Sequence, residues 1–142
     1  MVSHWLTSIK GESPEKTPER VRNLIGKHKI FAIRGKIDGK SPLNQGDGIC
    51  FYGAKIGIVA HARLGNNPVA MVNSELFGTH LSLLAFKLED VHLMLDNPVL
   101  ITPELRARLD IYKGRPSGSA WGWPFQSTRK LSDHDFRILT GG

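Results

Sequence analysis

Trp121-Gly122-Trp123-Pro124-Phe125-Gln126 is the stretch of this chain best equipped for chemistry. Three large aromatic side chains fall within five positions, and the intervening glycine and proline work against a regular helix or strand. Flat rings on a loop suit the sandwiching of a planar base pulled out of a nucleic acid, at about 1–3 kcal/mol per stack. The same rings could seal a core beneath a long loop, and residue type alone leaves both uses open. Basic residues flank the motif at Lys113, Arg115, Arg129 and Lys130 and recur at Arg34, Lys36, Lys40, Lys55 and Arg63. Each could hold a phosphate while the rings hold a base, although a solvated surface charge is the commoner role.

A second cue is Gly46-Asp47-Gly48 ahead of Ile49-Cys50-Phe51-Tyr52. The glycines suit a tight turn, and Asp47 reads as a structural carboxylate that accepts turn amides. Tyr52 ends its strand beside a glycine, so its ring could border an opening, with core packing as the alternative. Catalytic constellations are weak. The six histidines, at positions 4, 28, 61, 80, 92 and 134, show no ligand spacing. Glu89 and Asp90 are strand neighbours and point to opposite faces. Cys50 reads as a buried apolar filler. No phosphate-binding glycine loop or nucleophile elbow is present. The expectation is a binding module without catalysis, cofactor or metal.

Composition fits that expectation. The chain has 142 residues, enough for one domain spanning 1–142 with a core of its own. Nineteen Lys and Arg against thirteen Asp and Glu give a formal charge of +6, which favours polyanions through phosphate contacts and counterion release. One cysteine excludes an intrachain disulfide. With an N-terminus unlike a signal peptide, this points to the cytoplasm. No apolar run approaches the ~20 residues of a membrane helix.

The elements that must position these residues follow from local pattern. Trp5–Ile9 reads as a strand. Thr17-Pro18-Glu19 reads as a helix start with Thr17 as capping hydroxyl, and Gly26 as its stop. Ile30–Lys36 reads as a strand closed by a turn at Asp38-Gly39. Ile49–Tyr52 and Ile56–Leu64, joined by Gly53-Ala54-Lys55, read as an antiparallel hairpin, with Ile56, Ile58, Ala60, Ala62 and Leu64 on one face. Residues 69–85 have no clear period. Phe86–Leu95 reads as a strand, and Thr102-Pro103-Glu104 starts a short helix with Leu105 and Leu109 inside. Lys113–Thr128 reads as loop. Ser132 caps a last helix, with Asp135 at the capping-box position and Leu131 and Phe136 spaced as a hydrophobic staple. The sum is an α+β fold: one mixed or antiparallel sheet with two or three short helices.

The ordered set of Trp5, Leu43-x-x-Gly46-Asp47-x-Ile49-Cys50-Phe51-Tyr52, Ile56-Gly57-Ile58-Val59-Ala60-His61-Ala62 and Phe125-Gln126-Ser127-Thr128-Arg129-Lys130-Leu131-Ser132-x-x-Asp135-Phe136-x-x-Leu139 resembles the EVE domain. That family belongs to the PUA-like superfamily, with the YTH and ASCH domains. The resemblance runs from Trp5 to Leu139. It implies a PUA-like pseudo-barrel of five or six strands and a concave pocket for one extruded base, methylated cytosine or adenine in DNA or RNA. By position, that pocket would draw on Thr7, Ser8, Tyr52, Gly53, Lys55, Trp121, Trp123, Phe125 and Gln126. Its phosphate rim would draw on Arg34, Lys36, Arg63, Arg115, Arg129 and Lys130. The partner is then DNA or RNA carrying a modified base, with a nuclease or RNA-processing protein as a candidate companion and a monomer as the favoured state. Two other readings compete: an RNA-binding accessory of the ASCH or PUA kind that recognises structure, and a small nucleotide-binding enzyme.

Overall fold

Apolar side chains on both faces of Gly48–Gly53 make it a central strand, because a strand with one wet face would alternate. The computed structural model describes residues 2–9, 13–34, 43–67, 69–71, 83–113, 125 and 128–141. Within them lie β1 (His4–Ile9), β2 (Ile30–Arg34), β3 (Gly48–Gly53), β4 (Gly57–Leu64), β5 (Val69–Met71), β6 (Leu83–Leu93) and β7 (Arg129–Leu131). The helices are α1 (Thr17–Arg20), continued by a π-helical segment Val21–His28, then α2 (Pro103–Ala107) and α3 (Asp133–Leu139). Strand order is β2-β6-β4-β3-β1-β7, with β5 on β6. β1 runs parallel to β3, and every other described strand pair is antiparallel. This is the expected α+β architecture: a curved mixed sheet of five longer strands and two three-residue strands, flanked by short helices.

The sheet separates two apolar layers. Trp5, Phe51 and Leu64 face a cluster closed by Phe31, Phe86 and by Leu24 and Ile25 of the π-helical segment. Leu6, Cys50 and Ile58 face a second cluster under Leu109, Phe125, Leu131 and Leu139. Phe51 and Phe86 are the largest fully buried side chains among the described residues, and truncating either to alanine costs about 3–5 kcal/mol.

Asp47 ties the turn to β1. Its carboxylate accepts the Trp5 indole N–H at 2.9 Å and the backbone N–H groups of Ser3 and Asn44 at 3.0 Å each. It is buried, and these three donors replace the water it gives up. The structural role expected for Asp47 is the one observed.

Several local expectations are corrected. Ile58 does not share a face with Ala60, Ala62 and Leu64. Phe51 pairs with Ala60 and Tyr52 with Ile58, so Val59 is an extra residue that flips the alternation. Ile56 lies in the turn rather than in β4. Thr17 is not a cap: a 3-10 turn, Pro14–Lys16, runs straight into α1, and Thr17 is its buried first residue. Gly26 does not stop the helix, which continues to His28 and ends at Lys29 in the left-handed region (φ 53°). A Cβ on Gly26 would sit 2.9 Å from Leu93 Cδ1, so this glycine serves close approach to β6. Asp135 does not reach back to its own helix start; its carboxylate accepts the backbone N–H groups of Asp110 and Ile111 at 2.6 and 2.9 Å. Ser132 does cap α3, accepting Asp135 N–H at 3.1 Å, and Thr102 caps α2 by accepting Leu105 N–H at 3.1 Å. The unplaced tract 69–85 supplies β5 and the start of β6; the turn at Asp38-Gly39 lies outside the described residues.

Candidate nucleic-acid interface

The parallel pairing of β1 and β3 brings Ser8 opposite Tyr52 and Ile9 opposite Gly53, so both strands finish at one end of the sheet. β7 enters beside β1, with Leu6 opposite Arg129, which carries Thr128 and Phe125 toward the same end. Residues from three distant parts of the chain therefore meet there.

They do not share one face. Ser8 and Tyr52 project with Leu6 and Cys50 toward the second cluster, whereas Thr7 projects with Trp5 and Ile9 toward the first. Thr7 is buried, and its hydroxyl lies 2.9 Å from that of Thr128. A Cβ on Gly53 would meet Val59 Cγ1 at 3.2 Å and Thr17 Cγ2 at 3.4 Å, which sets Gly53 on the side of Thr7. Phe125 is buried, its ring centroid 4.4 Å from that of the half-buried Tyr52 at 36°. Phe125 is thus an interior wall rather than an open platform. Tyr112 is close by, and burial pushes its hydroxyl up to about 12, so it stays a neutral hydrogen-bonding group at physiological pH. Lys55 is exposed at the hairpin turn in a left-handed conformation (φ 66°). Trp121, Trp123 and Gln126 lie outside the described residues.

The rim residues scatter. Arg34 ends β2, which β6, β4 and β3 separate from β1. Arg63 lies on β4 with its guanidinium 2.8 Å from Asp90 and 3.6 Å from Glu89, so its charge is already matched and it is a poor phosphate ligand. Arg129 and Lys130 lie on β7, Lys130 exposed. Lys36 and Arg115 lie outside the described residues.

Sequence reading missed a second constellation, on the second-cluster face of the sheet where β1 and β3 begin. His4, Gly48, His61, Arg63, His92 and Phe136 line an open cleft of about 330 Å³. His61 and His92 are register partners on β4 and β6, their rings stacked at 4.5 Å and 18°. His4 stacks on Phe136 at 4.4 Å and 11°, and its Nε2 lies 2.7 Å from Asp133. The His61 pKa is held below its ordinary value, by burial first and then by His92. Chain spacing could not reveal these histidines as neighbours, because only strand register unites them. A separate group, Asp110, His134 and Asp135, is engaged structurally. Asp135 holds the 3-10 turn Asp110–Tyr112, His134 Nε2 lies 2.8 Å from the Arg108 carbonyl oxygen, and Asp110 pairs with Lys113 at 2.9 Å. Burial also pushes the Cys50 thiol up, as expected of an apolar filler.

No family model matches the chain, and no match to a curated protein sequence was found. Solved structures do match over nearly its whole length. A mutant of the ASCH protein from Zymomonas mobilis superposes with a TM-score of 0.54 at 18% identity, covering 97% of this chain and 96% of that one. The unmutated ASCH protein gives 0.50 at 17%, covering 97% and 94%. Human THYN1 protein in complex with 5-methylcytosine containing DNA gives 0.53 at 16%, covering 98% and 96%. At these identities the likeness is one of fold, and the fold is the PUA-like one that ASCH and THYN1 structures share.

Proposed function

We propose that this chain is a nucleic-acid-binding module of the EVE kind that holds one flipped, methylated base without catalysing a reaction. The observation that carries the reading is the near full-length likeness of fold to the THYN1 protein, which was solved with 5-methylcytosine containing DNA. The formal charge of +6 supports a polyanionic partner. The proposed slot lies where β1 and β3 end, with Ser8 and Tyr52 on its sheet side and Phe125 as the wall behind Tyr52. Lys130, exposed on β7, serves as a rim cation, Lys55 of the pocket set is exposed at the hairpin turn, and Arg63 is a poor phosphate ligand because Asp90 and Glu89 hold it.

Burying one methyl group supplies about 0.8 kcal/mol, only about fourfold in affinity. A stronger preference needs a slot that excludes water or that fits the unmodified base badly. Titration with DNA carrying 5-methylcytosine, RNA carrying N6-methyladenosine, and their plain counterparts tests the reading. Tryptophan quenching by a methylated strand supports it. Tight binding of unmodified structured RNA with no methyl preference instead favours the accessory role of the ASCH kind.

A further inference from the structure

This cleft lies where β1 and β3 begin, at the opposite end of those strands from the proposed base slot, and its chemistry points elsewhere. Two imidazoles stand side by side on neighbouring strands, one half-buried and one exposed. Cross-strand partners keep their Cβ atoms about 4.5–5.5 Å apart, close enough for both rings to rotate about χ1 and χ2 onto one ion. Imidazole nitrogen is the ligand of choice for borderline dications such as Zn²⁺, Ni²⁺ and Cu²⁺.

The surrounding groups define the limits of the site. His4 is not a ligand: its Nε2 is engaged by Asp133, and its Nδ1 is buried where a Cβ on Gly48 would lie only 2.8 Å away. The Arg63 charge, which would repel a cation, is offset by Asp90 and Glu89. Phe136 meets the His61 ring edge-on at 6.4 Å and 84°, and both histidines line the open cleft.

We infer that His61 and His92 form a two-histidine site for a borderline transition-metal dication, with water completing the coordination.

Isothermal titration of the intact chain with Zn²⁺ at pH 7.5, beside NMR of the histidine ring protons, tests the proposal. The expected result is saturable binding of one equivalent, with the His61 and His92 ring signals shifting together. His92→Ala alters an exposed residue and should weaken binding at least about tenfold, the loss expected on removing one ligand; His61→Gln should do the same. His28→Ala, on the π-helical segment, should leave binding unchanged. Binding with no saturation at one equivalent, or equal binding by the wild-type chain and His92→Ala, overturns the proposal. Nucleic-acid affinity measured on His92→Ala keeps the two sites apart: this site can fail while the base-reading proposal stands, and the reverse.

Discussion

Replacing Asp47 isolates the interaction that anchors β1 to the turn before β3. The carboxylate receives three donors, and Asp47→Ala leaves all three without it: the buried Trp5 indole N–H and two part-buried backbone N–H groups. Hydrogen bonds to a charged group contribute about 1.5–3 kcal/mol each, and a buried donor left unmatched loses its full share. The two backbone groups can recover water in part, so the expected loss is about 3–5 kcal/mol rather than the sum of three maxima. That is a large fraction of the roughly 5–15 kcal/mol typical of a domain. Asp47→Asn keeps the shape and can flip its oxygen toward Trp5 and Asn44, but its amide nitrogen then faces the Ser3 N–H. The expected loss is about 1.5–3 kcal/mol, below that of alanine. Urea denaturation followed by far-UV circular dichroism reads both, and a cycle with Trp5→Phe should show about 1–2 kcal/mol of coupling. An Asp47→Ala chain within about 1 kcal/mol of wild type, or an asparagine variant weaker than the alanine one, would refute this reasoning.

Two further perturbations test other parts of the structure. Gly57→Ala should destabilise by about 2 kcal/mol or more, because φ there is 128° and the new Cβ would lie 2.3 Å from the Val99 carbonyl oxygen; unchanged urea stability would show that β4 can start in another geometry. The pH dependence follows from His61. Its folded pKa is depressed, so between that value and the ordinary 6.5 the unfolded chain binds a proton the folded chain does not. Its contribution is therefore fully present above pH 6.5 and is lost as pH falls toward the folded pKa. His61→Gln should lose less stability than wild type between pH 7.5 and 5.5, and an identical loss in both would assign the dependence to other groups.

What was legible in the sequence was whatever a short window encodes. Gly53-Ala54-Lys55 between two apolar runs announced the hairpin, and the hydroxyls of Thr102 and Ser132 announced the caps of α2 and α3. The Gly-Asp-Gly turn announced a structural carboxylate, although not that its partner would be an indole 42 positions away. Properties of register were not legible. The Val59 bulge exists only against β3 and moves Ile58 to the opposite face from Ala60. Thr7 and Ser8 are neighbours in sequence, but a strand buried on both sides sends them to opposite faces, which residue type alone does not show. His61 and His92 became neighbours only through the β4–β6 pairing, and Arg63 lost its phosphate role through the same pairing. Trp121 and Trp123 lie outside the described residues, and the functional proposal rests on the fold.

The decisive measurement is fluorescence anisotropy with matched labelled oligonucleotides, one carrying 5-methylcytosine and one plain cytosine, across a salt series starting at about 50 mM. The account predicts saturable binding that weakens linearly in log salt and favours the methylated strand by more than the roughly fourfold a methyl group supplies by burial alone. Absence of binding to either strand at the lowest salt, with N6-methyladenosine RNA equally inert, would contradict it.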